Sequence, residues 1–149
     1  MKKTIVNEIK LEFPSRSNNE GLARNIAACF TAQMDPTLNE LEDIKTAVSE
    51  AVTNAVIYAY PDKIGTIYLK IRMYDDNTLE LTVRDRGCGI ADVEQALQPM
   101  FTTGGAERSG MGFTIMESFM DSLSVRSTEG KGTVIMMKKR LSSRLRERK

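Results

Sequence analysis

The most constraining feature of this chain is a strand that ends in a carboxylate and a glycine turn. Leu79 to Val83 has strand composition and leads into Asp85-Arg86-Gly87-Cys88-Gly89-Ile90. An aspartate at a strand end presents its carboxylate to a pocket, where it can accept a hydrogen bond from an amino group. Gly87 and Gly89 let the backbone turn sharply and come close to a ligand. Alone, such an Asp-x-Gly-x-Gly string is most often an ordinary turn. Its weight comes from its surroundings. Glu50 and Asn54 lie upstream in SEAVTNAV, Ser109-Gly110-Met111-Gly112-Phe113 opens an apolar helix downstream, and Gly132-Thr133 starts a later strand.

The rest of the chain supplies elements of both kinds. Ile5, Asn7, Ile9, Leu11 and Phe13 predict a strand that Pro14 ends. Ser17-Asn18-Asn19-Glu20 has the form of a capping box, and a helix is expected over 18–34. Leu22, Ile26, Cys29 and Phe30 fall on one side of it, which makes Cys29 a small core residue. Arg24 falls elsewhere on that helix, and spacing alone favours a solvated arginine. Thr37-Leu38-Asn39-Glu40 forms a second capping box for a helix over 37–60, closed by Pro61. Strands are expected from Ile64 to Tyr74 and Leu79 to Val83, joined at Asp75-Asp76-Asn77, then from Ser122 to Arg126 and Thr133 to Met137. A third long helix is expected over 110–121. Between Ile90 and Ser109 the pattern is irregular, and Gln98 to Gly105 reads as a mobile lid between two glycine motifs.

Glu50 and Asn54 are i,i+4 and share a helix face with Ala47 and Ala51, small residues that leave room beside the pair. A Glu/Asn pair in isolation is most often a wet surface. The chemistry gives it more weight. The amide oxygen of Asn54 can ligate Mg²⁺, and a carboxylate one turn away can orient or deprotonate an attacking hydroxyl. Glycines at 110 and 112 let backbone N–H groups converge on an anion at the positive end of a helix.

Composition narrows the classes. A length of 149 residues fits one domain, and 41% hydrophobic content supports an ordinary core. No apolar run approaches the roughly 20 residues of a membrane helix, and the N-terminus lacks the apolar core of a signal peptide. Two cysteines, Cys29 and Cys88, give no disulfide framework and suit a reducing, cytoplasmic setting; Cys88, in the glycine turn, lies near any ligand. No histidine is present, which removes Ser-His catalysis, zinc–His sites and histidine autophosphorylation. The formal charge of +1 is unevenly spread: seven basic residues against Glu147 make 138–149 six positive, so the rest carries about five negative charges. That basic tail reads as a solvated end, set apart from a compact region at 1–137.

The four motifs, in this order, resemble the ATP-binding fold shared by DNA gyrase, Hsp90, histidine kinases and MutL. SEAVTNA, QPMFTT and ERSGMGFTIME are similar to the small serine-kinase anti-sigma factors, and the resemblance spans about Glu8 to Met137. It implies an α/β two-layer sandwich with a mixed, mostly antiparallel sheet and three main helices on one face. It implies ATP and Mg²⁺ as cofactors. Asp85 and Thr133 would take the adenine beside Gly87 and Gly89. Gly110, Met111, Gly112 and Phe113 would hold phosphates with Thr103, Arg108 and Ser109 nearby, Asn54 would hold the metal, and Glu50 would be the base. An arginine on the first helix faces protein partners in that family, which raises Arg24 to an open candidate. The implied partners are a sporulation sigma factor, kept from RNA polymerase, and an anti-anti-sigma protein phosphorylated on serine. A homodimer is implied, without direct DNA or membrane binding. Two positions depart from the pattern: Tyr58-Ala59 stands where a histidine-glycine pair is expected, and no lysine follows Thr102-Thr103, leaving Arg108 as the nearest substitute. A nucleotide-gated binding module without phosphotransfer fits the same residues except Glu50, which only a kinase needs.

Overall fold

The computed structural model describes residues 3–98 and 112–142. Five strands form one sheet: β1 (Ile5–Pro14), β2 (Thr66–Tyr74), β3 (Thr78–Asp85), β4 (Ser122–Thr128) and β5 (Gly132–Arg140). Their order is β1-β2-β3-β5-β4, and every neighbouring pair is antiparallel, so the described sheet is simpler than the mixed one expected. The helices are α1 (Asn18–Ala32), α2 (Leu38–Asn54), the single turn α3 (Val93–Ala96) and α4 (Gly112–Phe119). No helix among the described residues is long and apolar enough to cross a membrane.

Strand alternation builds the core. Ile67, Leu69 and Ile71 of β2, Leu79, Leu81 and Val83 of β3, and Ile135 and Met137 of β5 are buried. They meet Ile44, Ala47, Val48, Ala51 and Val52 of α2, which is flanked by α1 and α4. Fully burying each larger aliphatic side chain contributes about 1.5–3 kcal/mol. Ala47 and Ala51 therefore do not leave an open space beside Glu50 and Asn54; both are fully buried and let α2 settle closely into the core.

β3 is buried on its other face as well, where Thr78, Glu80 and Thr82 are covered. A buried carboxylate needs partners. Glu80 has Arg72 at 3.9 Å and Lys138 at 3.8 Å, and the Tyr74 hydroxyl donates to it at 3.1 Å.

Several local expectations change. Ser17 makes no side-chain cap and has helical angles, so the first capping box does not form. The buried side of α1 carries Ala23, Ala27, Phe30 and Thr31, while Leu22 and Cys29 are exposed. Small alanines, not the bulkier Leu22, allow α1 to approach α2. The α-helix expected to run to Tyr60 stops at Asn54 and continues as one π-helical turn, Ala55–Ala59. Order also extends past Met137: Lys138 to Arg140 belong to β5, Leu141 N–H donates to Asn77 O at 2.9 Å, and the Asn77 side-chain amide donates to Leu141 O at 2.8 Å.

The second capping box forms as its sequence predicts. Glu40 N–H donates to Thr37 Oγ1 at 3.1 Å, and Thr37 N–H donates to Glu40 Oε1 at 2.9 Å. Glu40 also accepts from Ser142 N–H at 2.8 Å, tying the start of α2 to the end of β5. Thr37→Ala removes one cap and should lower stability by about 1 kcal/mol. Urea denaturation should show an earlier midpoint at an unchanged slope; an unmoved midpoint would show that the cap contributes nothing.

Candidate functional site

Asp85 continues the inward register of Leu81 and Val83, but at the end of β3 it meets a cavity instead of the core. The cavity has a volume of about 580 Å³, within the ~300–1,000 Å³ of small-molecule sites. Asn54, Cys88, Gly89, Gly112, Phe113 and Thr133 share its wall with Asp85. Ile90 and Ile135 add apolar surface. Described residues from all four motifs expected to act together thus surround one space.

The turn after Asp85 is locked to the end of α2. A Cβ on Gly87 would stand 2.0 Å from the Ala59 carbonyl oxygen, so only glycine allows this approach. Cys88 N–H donates to that same Ala59 oxygen at 2.9 Å, and its thiol donates to Tyr58 O at 3.2 Å. On the other side, Gly130 N–H donates to Cys88 O at 2.7 Å. Gly89 has φ of +74° and lies against Thr128, where a Cβ would meet its carbonyl oxygen at 2.3 Å. The π-helical turn therefore has a positioning role: its wider backbone presents Ala59 O to the glycine turn. Such turns often occur at functional sites.

Two residues that sequence reasoning passed over complete the support. Tyr60 donates its hydroxyl to Thr66 O at 2.7 Å and accepts from Arg86 N–H at 2.8 Å, pinning the residue next to Asp85. Its ring fills the space over Gly65. Ser127 Oγ lies 2.8 Å from Thr133 Oγ1 and accepts from Ile90 N–H at 2.7 Å. No motif marks either residue. Ile135 had a signal, since it follows Thr133 by two on the same strand face.

Asp85 is buried, and burial pushes its carboxyl above the ordinary aspartate range, against the backbone N–H groups of Gly87 and Thr133. Gly87 N–H donates to Asp85 Oδ1 at 2.9 Å, which fixes the carboxyl plane. The charged residues in the described wall are Asp85, Asp92 and Glu129, all acidic. The N-terminus of α4 faces the same space through Gly112 and Phe113 and offers partial positive charge.

Asn54 lies in the wall at the last position of α2. Glu50 is one turn earlier, half-buried, and is not part of the wall among the described residues. Thr103, Arg108, Ser109, Gly110 and Met111 lie outside the described residues, as does most of the lid. Arg24 is not part of the described cavity wall and lies 3.6 Å from Glu20 on α1. The described residues hold no cluster of three metal-ligating side chains, so a cation here would rest on Asn54 and on oxygens of a bound molecule.

Asp85→Asn separates binding from stability. A raised native pKa means that this group's stabilising contribution is present in acid and is lost as pH rises through the native value. Ionising the buried carboxylate therefore opposes folding, and as pH is raised the ligand-free Asn variant should lose less melting temperature than the wild type. The same change replaces a pure acceptor by a mixed donor–acceptor. It should weaken a ligand amino group's bond by ~1.5–3 kcal/mol, about ten- to a hundredfold in adenine-nucleotide affinity. Calorimetric titration beside a melting curve checks both; unchanged ATP affinity would remove Asp85 from the recognition of the base.

Comparison with known proteins agrees with this geometry. The histidine kinase-like ATPase domain family matches residues 13–139. An anti-sigma F factor of Caldanaerobacter subterraneus subsp. tengcongensis is 54% identical over 134 residues, covering 89% of this chain and 93% of that protein. One from Heyndrickxia coagulans is 53% identical over 140 residues, covering 91% and 94%. Among solved structures, the RsbU and RsbW domains of a Mycobacterium tuberculosis protein superpose with a TM-score of 0.68 at 19% identity. That match covers 93% of this chain and 33% of the other. A histidine kinase domain from Erythrobacter litoralis gives 0.57 at 21% identity, covering 82% and 61%. At these identities the structural matches speak for the fold alone.

Proposed function

The chain belongs to the histidine kinase-like ATPase domain family and, within it, to the anti-sigma F factors; from that premise we propose that it is an ATP-dependent anti-sigma factor and a protein serine kinase. In this reading it captures a sporulation sigma factor of the sigma-F type and withholds it from RNA polymerase. It also phosphorylates a serine of its anti-anti-sigma antagonist, which releases that protein. The observation that carries the reading is the single cavity shared by Asp85 at the end of β3 and Asn54 at the end of α2.

The residues divide the work. Asp85 accepts from the adenine amino group, and Thr133, supported by Ser127, offers its hydroxyl beside it. Ile90, Ile135 and Phe113 give the ring apolar walls. Asn54 would hold Mg²⁺ through its amide oxygen, and the ion would supply charge neutralisation on the phosphates. Because the described charged wall residues are acidic, the triphosphate depends on further positive potential. Gly112 and Phe113 in the wall are assigned to it, and the resemblance assigns it also to Thr103, Arg108, Ser109, Gly110 and Met111, which lie outside the described residues. Glu50 accepts the proton of the incoming serine hydroxyl as that oxygen takes the γ-phosphoryl group and ADP departs. Positioning and charge neutralisation dominate such a transfer.

The partner surfaces are proposed on the opposite edge. β1 is an edge strand, and α1 lies beside it through the Asn7–Gln33 hydrogen bond of 3.3 Å. Ile5 is 43% exposed, Val6 58% and Leu22 55%, an apolar edge suited to a second copy of the chain. Arg24 sits on the other flank of α1, half-exposed, and is assigned to partner contact. Arg24→Ala should weaken sigma-factor or antagonist capture while ATP affinity stays unchanged. Normal binding of both partners in a pull-down would remove that assignment.

A clamp that binds nucleotide and sigma factor without phosphotransfer is the second reading, favoured by one observation: Glu50 is not in the cavity wall among the described residues. Glu50→Gln decides between them. It preserves size but removes proton acceptance, so antagonist phosphorylation should fall by about 10²–10⁴-fold. ATP binding and sigma capture should change little. The assay follows phosphoserine by mass spectrometry after incubation with Mg-ATP and the antagonist. Wild-type rates in the variant would demote Glu50 to a positioning role, and no transfer by the unaltered protein would favour the clamp.

A further inference from the structure

The helix-free face of the sheet has two ends of opposite character. One cross-strand row contains Glu8, Arg72, Glu80, Lys138 and Ser122. Its charges are matched: Arg72 is paired with both Glu8 and Glu80, and Lys138 lies 3.8 Å from Glu80. Four residues along the strands, the equivalent row is Glu12, Tyr68, Arg84, Val134 and Arg126. Arg86 and Lys131 join it from the strand ends. Arg84, Arg86, Arg126 and Lys131 are all exposed, and among the described residues none forms an ion pair with a carboxylate. They line a shallow groove of about 310 Å³.

Two of these cations are held in place before any partner arrives. The Arg84 guanidinium lies 4.6 Å from the Tyr68 ring centroid and that of Arg86 lies 5.2 Å from it. Stacking on an aromatic face restricts both forks and leaves their N–H edges available for carboxylates. Val134, between Arg84 and Arg126 in the row, gives the groove an apolar floor.

We propose that this groove docks a short acidic segment of a partner protein, with aspartate or glutamate side chains on Arg84, Arg86, Arg126 and Lys131 and an apolar residue over Val134. Charge complementarity selects the occupant: residues 1–137 carry about five net negative charges, yet these four cations stand together with no carboxylate paired to them among the described residues. The groove is also small, with room for a few side chains, and Glu12 closes the row beyond Tyr68. A long polyanion would run onto that negative surface. The groove and the nucleotide cavity share Asp85 and Thr133, so the docking surface lies against the other side of the same strand ends.

The test uses the full chain labelled with ¹⁵N and a synthetic eight-residue peptide of aspartate, glutamate and leucine. A serine-for-acid version of the peptide and an octathymidylate serve as comparison probes. The acidic peptide should shift the amides of Tyr68, Arg84, Arg126 and Val134 in a saturable way, and the serine version should not. The Arg84→Ala/Arg126→Ala double variant should bind the peptide at least about tenfold more weakly, with ATP affinity and melting temperature near wild type. Lys45→Ala/Lys63→Ala removes the same charge elsewhere and should leave peptide affinity unchanged. Three results overturn the proposal: no shifts in this groove, equal weakening by the two double variants, or tighter binding of the oligonucleotide there than of the peptide.

Discussion

The site depends on one close contact, the approach of Gly87 to the Ala59 carbonyl. A methyl group at position 87 would overlap that oxygen, and the Cys88 N–H bonded to the same atom leaves the turn little freedom. The contact joins two pieces of chemistry far apart in sequence. Asp85 sits two residues before it on the sheet side, and Asn54 sits five residues before it on the helix side. Without it, the Asp85 carboxylate and the Asn54 amide, which line one cavity, would belong to separately moving elements. Tyr60 adds a second tie, because its hydroxyl bonds both the start of β2 and the residue after Asp85.

This explains why part of the site was legible in the sequence and part was not. The places of Asp85, Gly87, Gly89, Asn54 and Gly112 around the cavity could be read because each belongs to a local pattern: a strand-end carboxylate, a glycine turn, an i,i+4 helix pair or a glycine before an apolar helix. The residues that hold them in place could not. Tyr60 reads as one more aromatic before a proline, and Ser127 as one polar residue in a strand; their roles arise only from register and tertiary contact. The π-helical turn has no periodic signature, since it occupies a single turn between Asn54 and Tyr60.

The fold was legible to a similar depth and for similar reasons. Alternation located β1, strand composition between turn signals located the other four described strands, and Thr37 with Glu40 marked the start of α2 because a capping box is a local device. The face of α1 was misjudged because bulky residues were weighted over small ones. Close helix packing favours Ala23 and Ala27 at the contact, which turns Leu22 and Cys29 outward. β3 reads as a strand with polar residues on one face, yet Glu80 and Thr82 are buried there by long side chains from its neighbours. Alternation tells which residues share a face; it does not tell whether that face is wet.

The same central strand sets the electrostatics of both ends of the molecule. Buried on two faces, β3 can carry charge only where partners surround it, as at Glu80, or where the strand ends, as at Arg84 and Asp85. At that end successive side chains must point to opposite faces. Asp85 therefore enters the cavity while Arg84 emerges on the helix-free face, and the acidic site and the basic groove are back-to-back products of one pleat. Moving the strand register by one residue would exchange them, placing an arginine in the cavity where the carboxylate now stands. The Gly87 contact opposes that slip, because a shift of one residue would bring Arg86 or Cys88, each with a Cβ, against Ala59.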